Sequence, residues 1–350
     1  MAPSLSFFPG PSPVYPEVRE LMVQAFDQGI LQINHRSDRF MSMYQSIKKT
    51  LRDKWELPEG YEIVFTSSAT ECWEIINQSL LSGDVQFIYN GAFGKKWFKY
   101  AVHAPSHRYT LRGSRFLENE SAEEVELSQT PHWLCFVQNE TSNGTVISME
   151  TLKQWRKQRP DTLIAADATS SLGGTWLEWP LADVWFGSVQ KCLGLPAGMA
   201  VMIISPKAQQ EASRLGELQH YNSLVTILEN AKKNQTHTTP NVLNIFLLGQ
   251  LWERLPSLRE VSTQIEARSK RLDHFFEEKG VHLIHNALVR SSTVKALTGN
   301  SSQLDVWKSA AKSSGITLGG GYGEWKDRTI RIANFPAIPD SAYQTLQTLF

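Results

Sequence analysis

Three short stretches of this chain combine residue types that could do chemistry. The first is Thr66-Ser67-Ser68-Ala69-Thr70-Glu71, small and hydroxylated residues leading from an apolar run into a helical pattern. The free N–H groups of a helix start, with hydroxyls nearby and no bulk in the way, suit an anion such as phosphate. A plain Ser/Thr helix cap fits the same letters. The second is Asp167, which follows the apolar run Thr162–Ala166 and precedes Ala168-Thr169-Ser170-Ser171. A carboxylate at the end of a buried strand loses solvent and needs a cationic partner, although an Asp turn reads alike. The third is Lys191, the only charged residue between Asp183 and Lys207, set in a glycine-rich run from Gly187 to Gly198. Desolvation there lowers the pKa of the amine and makes it a nucleophile. The alternative is a structural lysine paired with a carboxylate.

The elements around these stretches decide whether they can meet. After Gly60, short apolar runs alternate with amphipathic stretches. The pattern predicts strands at Glu62–Phe65, Val85–Tyr89, Trp133–Val137, Thr162–Ala166, Val184–Phe186 and Met199–Ile204. Helices are predicted at Thr70–Leu81, Phe93–His103, Met149–Gln158 and Pro206–Leu215. Strands alternating with helices give an α/β fold with a doubly wound, mostly parallel sheet. Such sheets bind ligands beyond the carboxyl ends of their strands, where all three stretches fall. Ahead of this region, Pro16–Trp55 reads as two helices around the turn Asn34-His35-Arg36-Ser37. Beyond it come the helices Leu243–Leu255 and Leu258–Lys279, the second long enough to bridge domains. Then follow strands Val281–Ile284 and Thr329–Ala333 with helices Gln303–Ser314 and Ser341–Leu349, an α+β appendage. The expected organisation is an extended, proline-rich segment at 1–15, a large domain at 16–256 and a smaller α+β C-terminal domain at 257–350.

Composition narrows the functional classes. Lys+Arg 35 balance Asp+Glu 35 in 350 residues, so no overall charge draws the chain to nucleic acid or to an anionic membrane. The uncharged stretch Asn234–Trp252 opens with polar residues and cannot span a bilayer. The first charge after Met1 is Glu17, with prolines between, which is no secretory signal and leads to a cytoplasmic expectation. Three widely separated cysteines, Cys72, Cys135 and Cys192, make neither a disulfide framework nor a metal cluster.

An anion cradle, a carboxylate and a buried amine together describe the needs of pyridoxal 5'-phosphate. The lysine forms a Schiff base with its aldehyde, and the carboxylate keeps the ring nitrogen protonated so that the ring is an electron sink. The motifs FFPGPSPV, NHRS, TSSAT, NGAFGKKW, QNETSNG, DATSSLGG and SVQKCLGLPAG occur in one order along the chain. In this the sequence resembles the class V aminotransferases of fold type I, the group holding phosphoserine and alanine/serine–glyoxylate aminotransferases. The resemblance runs from Phe8 to about Pro336. It implies that Lys191 carries the cofactor, with Asp167 on the pyridinium nitrogen. Ser68, Ala69 and Thr70 would hold the phosphate with Gln190. Phe93 would stack on the ring, Thr141 would bond the ring hydroxyl, and Thr169 would lie near Asp167. The loop with His237 and Thr238 matches one that reaches the cofactor of a neighbouring subunit, so a homodimer with shared sites is implied.

For substrates, an amino acid and a 2-oxo acid, the resemblance assigns the α-carboxylate to Arg331. Period-2 alternation sets Arg331 opposite Ile330 and Ile332. His35 and Arg36 match a pair that faces the substrate's side-chain phosphate in the phosphoserine branch. A second His-Arg pair usual in that branch is missing: Gly319–Arg328 holds Glu324 and Asp327 and no histidine. DATSSLGG and QKCLGLPAG lean toward the glyoxylate branch. Transamination of phosphoserine with 2-oxoglutarate is the leading expectation, and a small-amino-acid:glyoxylate enzyme is the alternative. A cysteine desulfurase is disfavoured because Gln190, not His, precedes the lysine. A non-catalytic binding module is disfavoured because Lys191 and Asp167 are both retained.

Overall fold

The computed structural model describes residues 5–104, 107–117, 120–283 and 287–350. Strand β1 (Leu5–Phe7) is followed by helices α1 (Glu17–Asp27) and α2 (Asp38–Trp55). Next come β2 (Glu62–Thr66), α3 (Ala69–Ser79), β3 (Gly83–Tyr89), α4 (Ala92–His103) and β4 (Tyr109–Arg115). The chain continues through β5 (Trp133–Val137), the short pair β6 (Asn139–Glu140) and β7 (Thr145–Val146), and α5 (Met149–Gln158). After them run β8 (Leu163–Asp167), β9 (Val184–Ser188), β10 (Ala200–Ile204), α6 (Pro206–Leu215), α7 (Leu224–Ala231), α8 (Val242–Arg254) and α9 (Leu258–Glu278). The remaining elements are β11 (His282–Leu283), β12 (Val294–Thr298), α10 (Ser301–Ser313), β13 (Ile316–Gly320), β14 (Thr329–Ala333) and α11 (Asp340–Gln347).

Seven strands form the large sheet in the order β2-β10-β9-β8-β5-β3-β4, with only β10 antiparallel to its neighbours. Its central strands are buried on both faces, which is why Trp133–Val137 and Ala200–Ile204 read as unbroken apolar runs. Alternate side chains feed two cores. Leu134, Phe136, Ile164 and Ala166 face the layer of α1, α2, α8 and the start of α9. Trp133, Cys135, Leu163 and Ala165 face α3, α4, α6 and α7. This is the α/β architecture expected.

A second sheet, ordered β1-β13-β14-β12-β11, has its own core with α10 and α11. The long helix α9 begins with a capping box of Ser257 and Glu260. It places Val261 and Ile265 in one core and Leu272 and Phe276 in the other, so it does bridge the two halves.

Several elements differ from the sequence reading. β4 was not expected: it is a charged, partly exposed edge strand whose polar residues hide its pairing with β3. β12 and β13 were missed because one holds a lysine and the other ends in glycines. In the proline-rich start, Leu5–Phe7 pairs in parallel with Ile316–Leu318 and so completes the second sheet. Of the expected strand Val281–Ile284, the last residue lies outside the described residues, as do residues 1–4.

Candidate active site

The carboxyl ends of β2, β5, β8 and β9 converge on a cavity of about 250 Å³, closed from above by the start of the chain and by residues around β13 and β14. Lys191 enters it from the loop after β9 and is buried. Its Nζ donates to Thr141 Oγ1 at 2.7 Å and to Ser170 Oγ at 3.0 Å, both neutral acceptors. Burial lowers the ammonium pKa to about 8, against the raising influence of Asp167 and Glu140. The ring of Phe93 lies 5.3 Å from the same nitrogen.

Asp167 ends β8, buried, across the same cavity. Its Oδ2 accepts from the Trp73 indole at 2.8 Å and its Oδ1 from the Thr169 N–H at 2.9 Å. Burial nevertheless holds the carboxyl above its ordinary pKa, since these bonds only partly replace water. Thr169 Oγ1 and Asn139 Oδ1 are buried without a partner, two polar atoms at the cavity wall in want of a ligand.

The first turn of α3 forms another wall through Ala69 and Thr70. Ser188 Oγ accepts from the Ala69 N–H at 3.0 Å and docks this helix start onto the end of β9. Ser68 is not on the wall; its hydroxyl caps the helix by accepting from the Glu71 N–H. Gln190 lines the cavity beside the lysine.

Arg331 sits mid-strand on β14, with Ile330 and Ile332 in the second core as period 2 requires. Its Nε donates to the Gly320 carbonyl and Nη1 to the Thr141 carbonyl, at 2.8 and 2.9 Å. Burial lowers its pKa to about 10, so it stays cationic at neutral pH. A planar guanidinium held on two sides and turned into a cavity is made for a carboxylate. Arg328 is exposed and stacks on Trp325, in agreement with a solvated reading.

The structure brings Lys191, Asp167, Ala69, Thr70, Phe93, Thr141, Thr169, Gln190 and Arg331 together. Besides Ser68, it keeps four expected residues elsewhere in the same chain. Arg36 is exposed and reaches Gln235, and His35 is partly buried in the adjoining turn. His237 and Thr238 line a separate hollow of about 140 Å³, where His237 stacks on Tyr221, whose hydroxyl donates to Glu71.

Other cavity residues were not singled out from the sequence. Trp73 comes from one turn into α3. Glu140 lies buried behind the wall: its carboxylate accepts from the N–H groups of Phe93, Gly94 and Ser142 and from the Ser142 hydroxyl, tying α4 to the end of β6, one residue before Thr141. Gly10 has φ +121°, and a Cβ there would stand 2.8 Å from Lys191 Cε. Tyr322 stacks on Phe93 with centroids 5.2 Å apart. For Glu140 the QNETSNG motif was a signal; for Tyr322 the sequence offered none.

Comparison with known proteins agrees with this geometry. The family model for class-V aminotransferases matches residues 7–294. A curated phosphoserine aminotransferase of Corynebacterium glutamicum is 27% identical, over 96% of this chain and 91% of that protein. A crystal structure of a phosphoserine aminotransferase from Cytophaga hutchinsonii superposes with a TM-score of 0.90 at 31% identity, covering 100% of this chain and 99% of the other. The alanine–glyoxylate aminotransferase of Nostoc sp. shares the fold, with a TM-score of 0.82 at 20% identity over 100% of this chain and 96% of that one. A buried amine, a strand-end carboxylate and a guanidinium in one cavity thus accompany a match over most of the sequence, and the chain belongs to the class-V aminotransferase family.

Proposed function

We propose that this chain uses pyridoxal 5'-phosphate to move an amino group between phosphoserine and 2-oxoglutarate, in a homodimer acting in the cytoplasm. The observation that carries the reading is the Lys191 amine, buried and bonded only to hydroxyls, facing Asp167 and Arg331 across one cavity. The residues present fit the cofactor. Asp167 can accept a ring N–H beyond the two donors it already has, because a carboxylate offers about four lone-pair sites. Thr169 Oγ1 and Asn139 Oδ1 await partners, and Ala69, Thr70 and Gln190 line the side suited to a phosphate.

When bound, the cofactor supplies an electron sink for the bond broken at the substrate Cα. The chain's own residues do the rest. Lys191 Nζ would hold the cofactor's aldehyde and, as a free neutral amine, would carry the substrate's Cα proton. Its lowered pKa leaves about a tenth of the amine neutral at pH 7. Thr141 and Ser170 orient the amine, and Arg331 clamps the α-carboxylate. Phe93, Tyr322 and the Phe8-Pro9-Gly10 segment cover the site and exclude water.

The positions of Arg36, His237 and Thr238 outside this cavity support the dimer reading, as does the exposed apolar face of Met22, Val23 and Phe26 on α1. Light scattering giving twice the chain mass is the expected result. No helix among the described residues is long and apolar enough to cross a membrane. The second reading, a small-amino-acid:glyoxylate enzyme, is favoured by one observation: the turn before Arg331 sends Glu324 to Arg115 and lacks the second His-Arg pair of the phosphoserine branch. A half-reaction decides. Loss of the cofactor's visible band with phosphoserine and glutamate but not alanine supports the first reading. Reaction with alanine or serine and none with phosphoserine replaces it by the second.

A further inference from the structure

Beside the active-site cavity lies another of about 280 Å³, and its wall is cationic. Lys95, Lys96 and Lys99 of α4 and Arg115 at the end of β4 line it, against the single carboxylate of Glu324. Lys96 and Tyr322 line both cavities, so they form the boundary that the two share. Like charges at i and i+4 on a helix cost stability, and the fold does not need them here: α4 buries Trp97 and Ala101 on another face. Glu324 offsets part of that charge, at 2.7 Å from Arg115 and 3.4 Å from Lys95. Burial works against it, yet the bonds from Arg115 and Lys95 hold its carboxyl below the ordinary range. Lys96 has no ion pair among the described residues; its Nζ lies 5.5 Å from the Tyr100 ring.

We propose that this cavity seats the anionic side chain of the substrate, phosphate or carboxylate, and that Glu324 is the chain's own carboxylate occupying it in the free enzyme. This rests on the aminotransferase reading and deepens it: Glu324 becomes a specificity-determining residue. Its ion pairs are half-exposed, and exposed pairs hold weakly, so a dianion carried by the substrate can displace it. A substrate without a side-chain charge has nothing to gain there. Glu324 is thereby a filter that small neutral amino acids do not have to pass, while anionic ones replace it on Lys95 and Arg115 and meet Lys96 at the boundary.

The test is the half-reaction of the cofactor-loaded enzyme with phosphoserine, glutamate, alanine and serine. Glu324→Gln lowers the apparent KM for phosphoserine and glutamate by roughly three- to tenfold and leaves alanine within about twofold, as expected for one competing exposed charge. Lys96→Gln raises the same two values by a similar factor. A parallel change for alanine, or an unchanged phosphoserine-to-alanine ratio in both variants, overturns the proposal. Circular dichroism checks that Glu324→Gln folds; if it does not, Lys96→Gln and Lys99→Gln decide by the same ratio. Should the wild-type enzyme reject phosphoserine, the substrate reading falls and the cavity is read separately. Inorganic phosphate then inhibits the serine or alanine half-reaction more strongly in Glu324→Gln than in wild type, and equal inhibition overturns the proposal.

Discussion

The amine of Lys191 should titrate near pH 8 in the cofactor-free protein, and this has a consequence measurable without any turnover. Burial is the main cause; Asp167 and Glu140 oppose it and Arg331 adds to it. Against the ordinary 10.5, a pKa of about 8 raises the neutral fraction at pH 7 from about 0.03% to about 10%, roughly 300-fold. The linked stability has a definite sign. Between pH 8 and 10.5 the unfolded chain binds the proton that the folded chain has released, so stability rises with pH across that window, by about 3 kcal/mol in all; below pH 8 the full penalty is present. The assay is dinitrophenylation by a neutral reagent between pH 6 and 10, with the Lys191 peptide quantified by mass. Its rate climbs tenfold per pH unit below 8 and then levels. Asp167→Asn moves the plateau to lower pH and Arg331→Gln to higher pH, since one removes a raising charge and the other a lowering one. A rate still climbing tenfold per unit at pH 9.5 refutes the reasoning.

The same geometry makes other outcomes measurable. Glu140→Gln leaves four donors short of a buried carboxylate, costs about 2–3 kcal/mol in urea unfolding, and shifts the Lys191 plateau to lower pH. Gly10→Ala pushes a Cβ to 2.8 Å from Lys191 Cε at a φ of +121°; a destabilisation of about 1–3 kcal/mol is expected, seen as a lower denaturation midpoint. Trp73→Phe removes the indole bond to Asp167 while keeping a ring against Trp97, and weakens pyridoxal phosphate binding roughly tenfold by fluorescence titration. Arg331→Lys keeps a charge and loses the fork, so the apparent KM of every α-amino acid rises by about tenfold and by similar factors.

Much of the site was legible because its signals are local. Lys191 stands alone in an uncharged, glycine-rich run, and Asp167 follows an apolar strand; a charge in such a place is buried unless the fold is something else. Strand periodicity alone put Arg331 opposite its apolar neighbours. Apart from β4, the strands of the large sheet were legible for the same reason: burial on both faces demands continuous apolar runs. What tertiary structure decided are contacts between distant residues. Nothing near Trp73 in sequence announces that its indole reaches Asp167, 94 positions away, and Ser68 proves to be committed to a helix cap. The edge strand β4 and the glycine-ended β13 carry too little apolar signal, since their pairing is supplied by neighbours and not by their own side chains. Likewise the first described residues became a strand only because Ile316–Leu318 offered them an open edge. The motifs at His35-Arg36 and His237-Thr238 could be recognised one by one, yet their separation from the Lys191 cavity is a property of the folded chain. Chemistry that needs one unusual residue is written locally; chemistry that needs two surfaces to face each other is settled by packing.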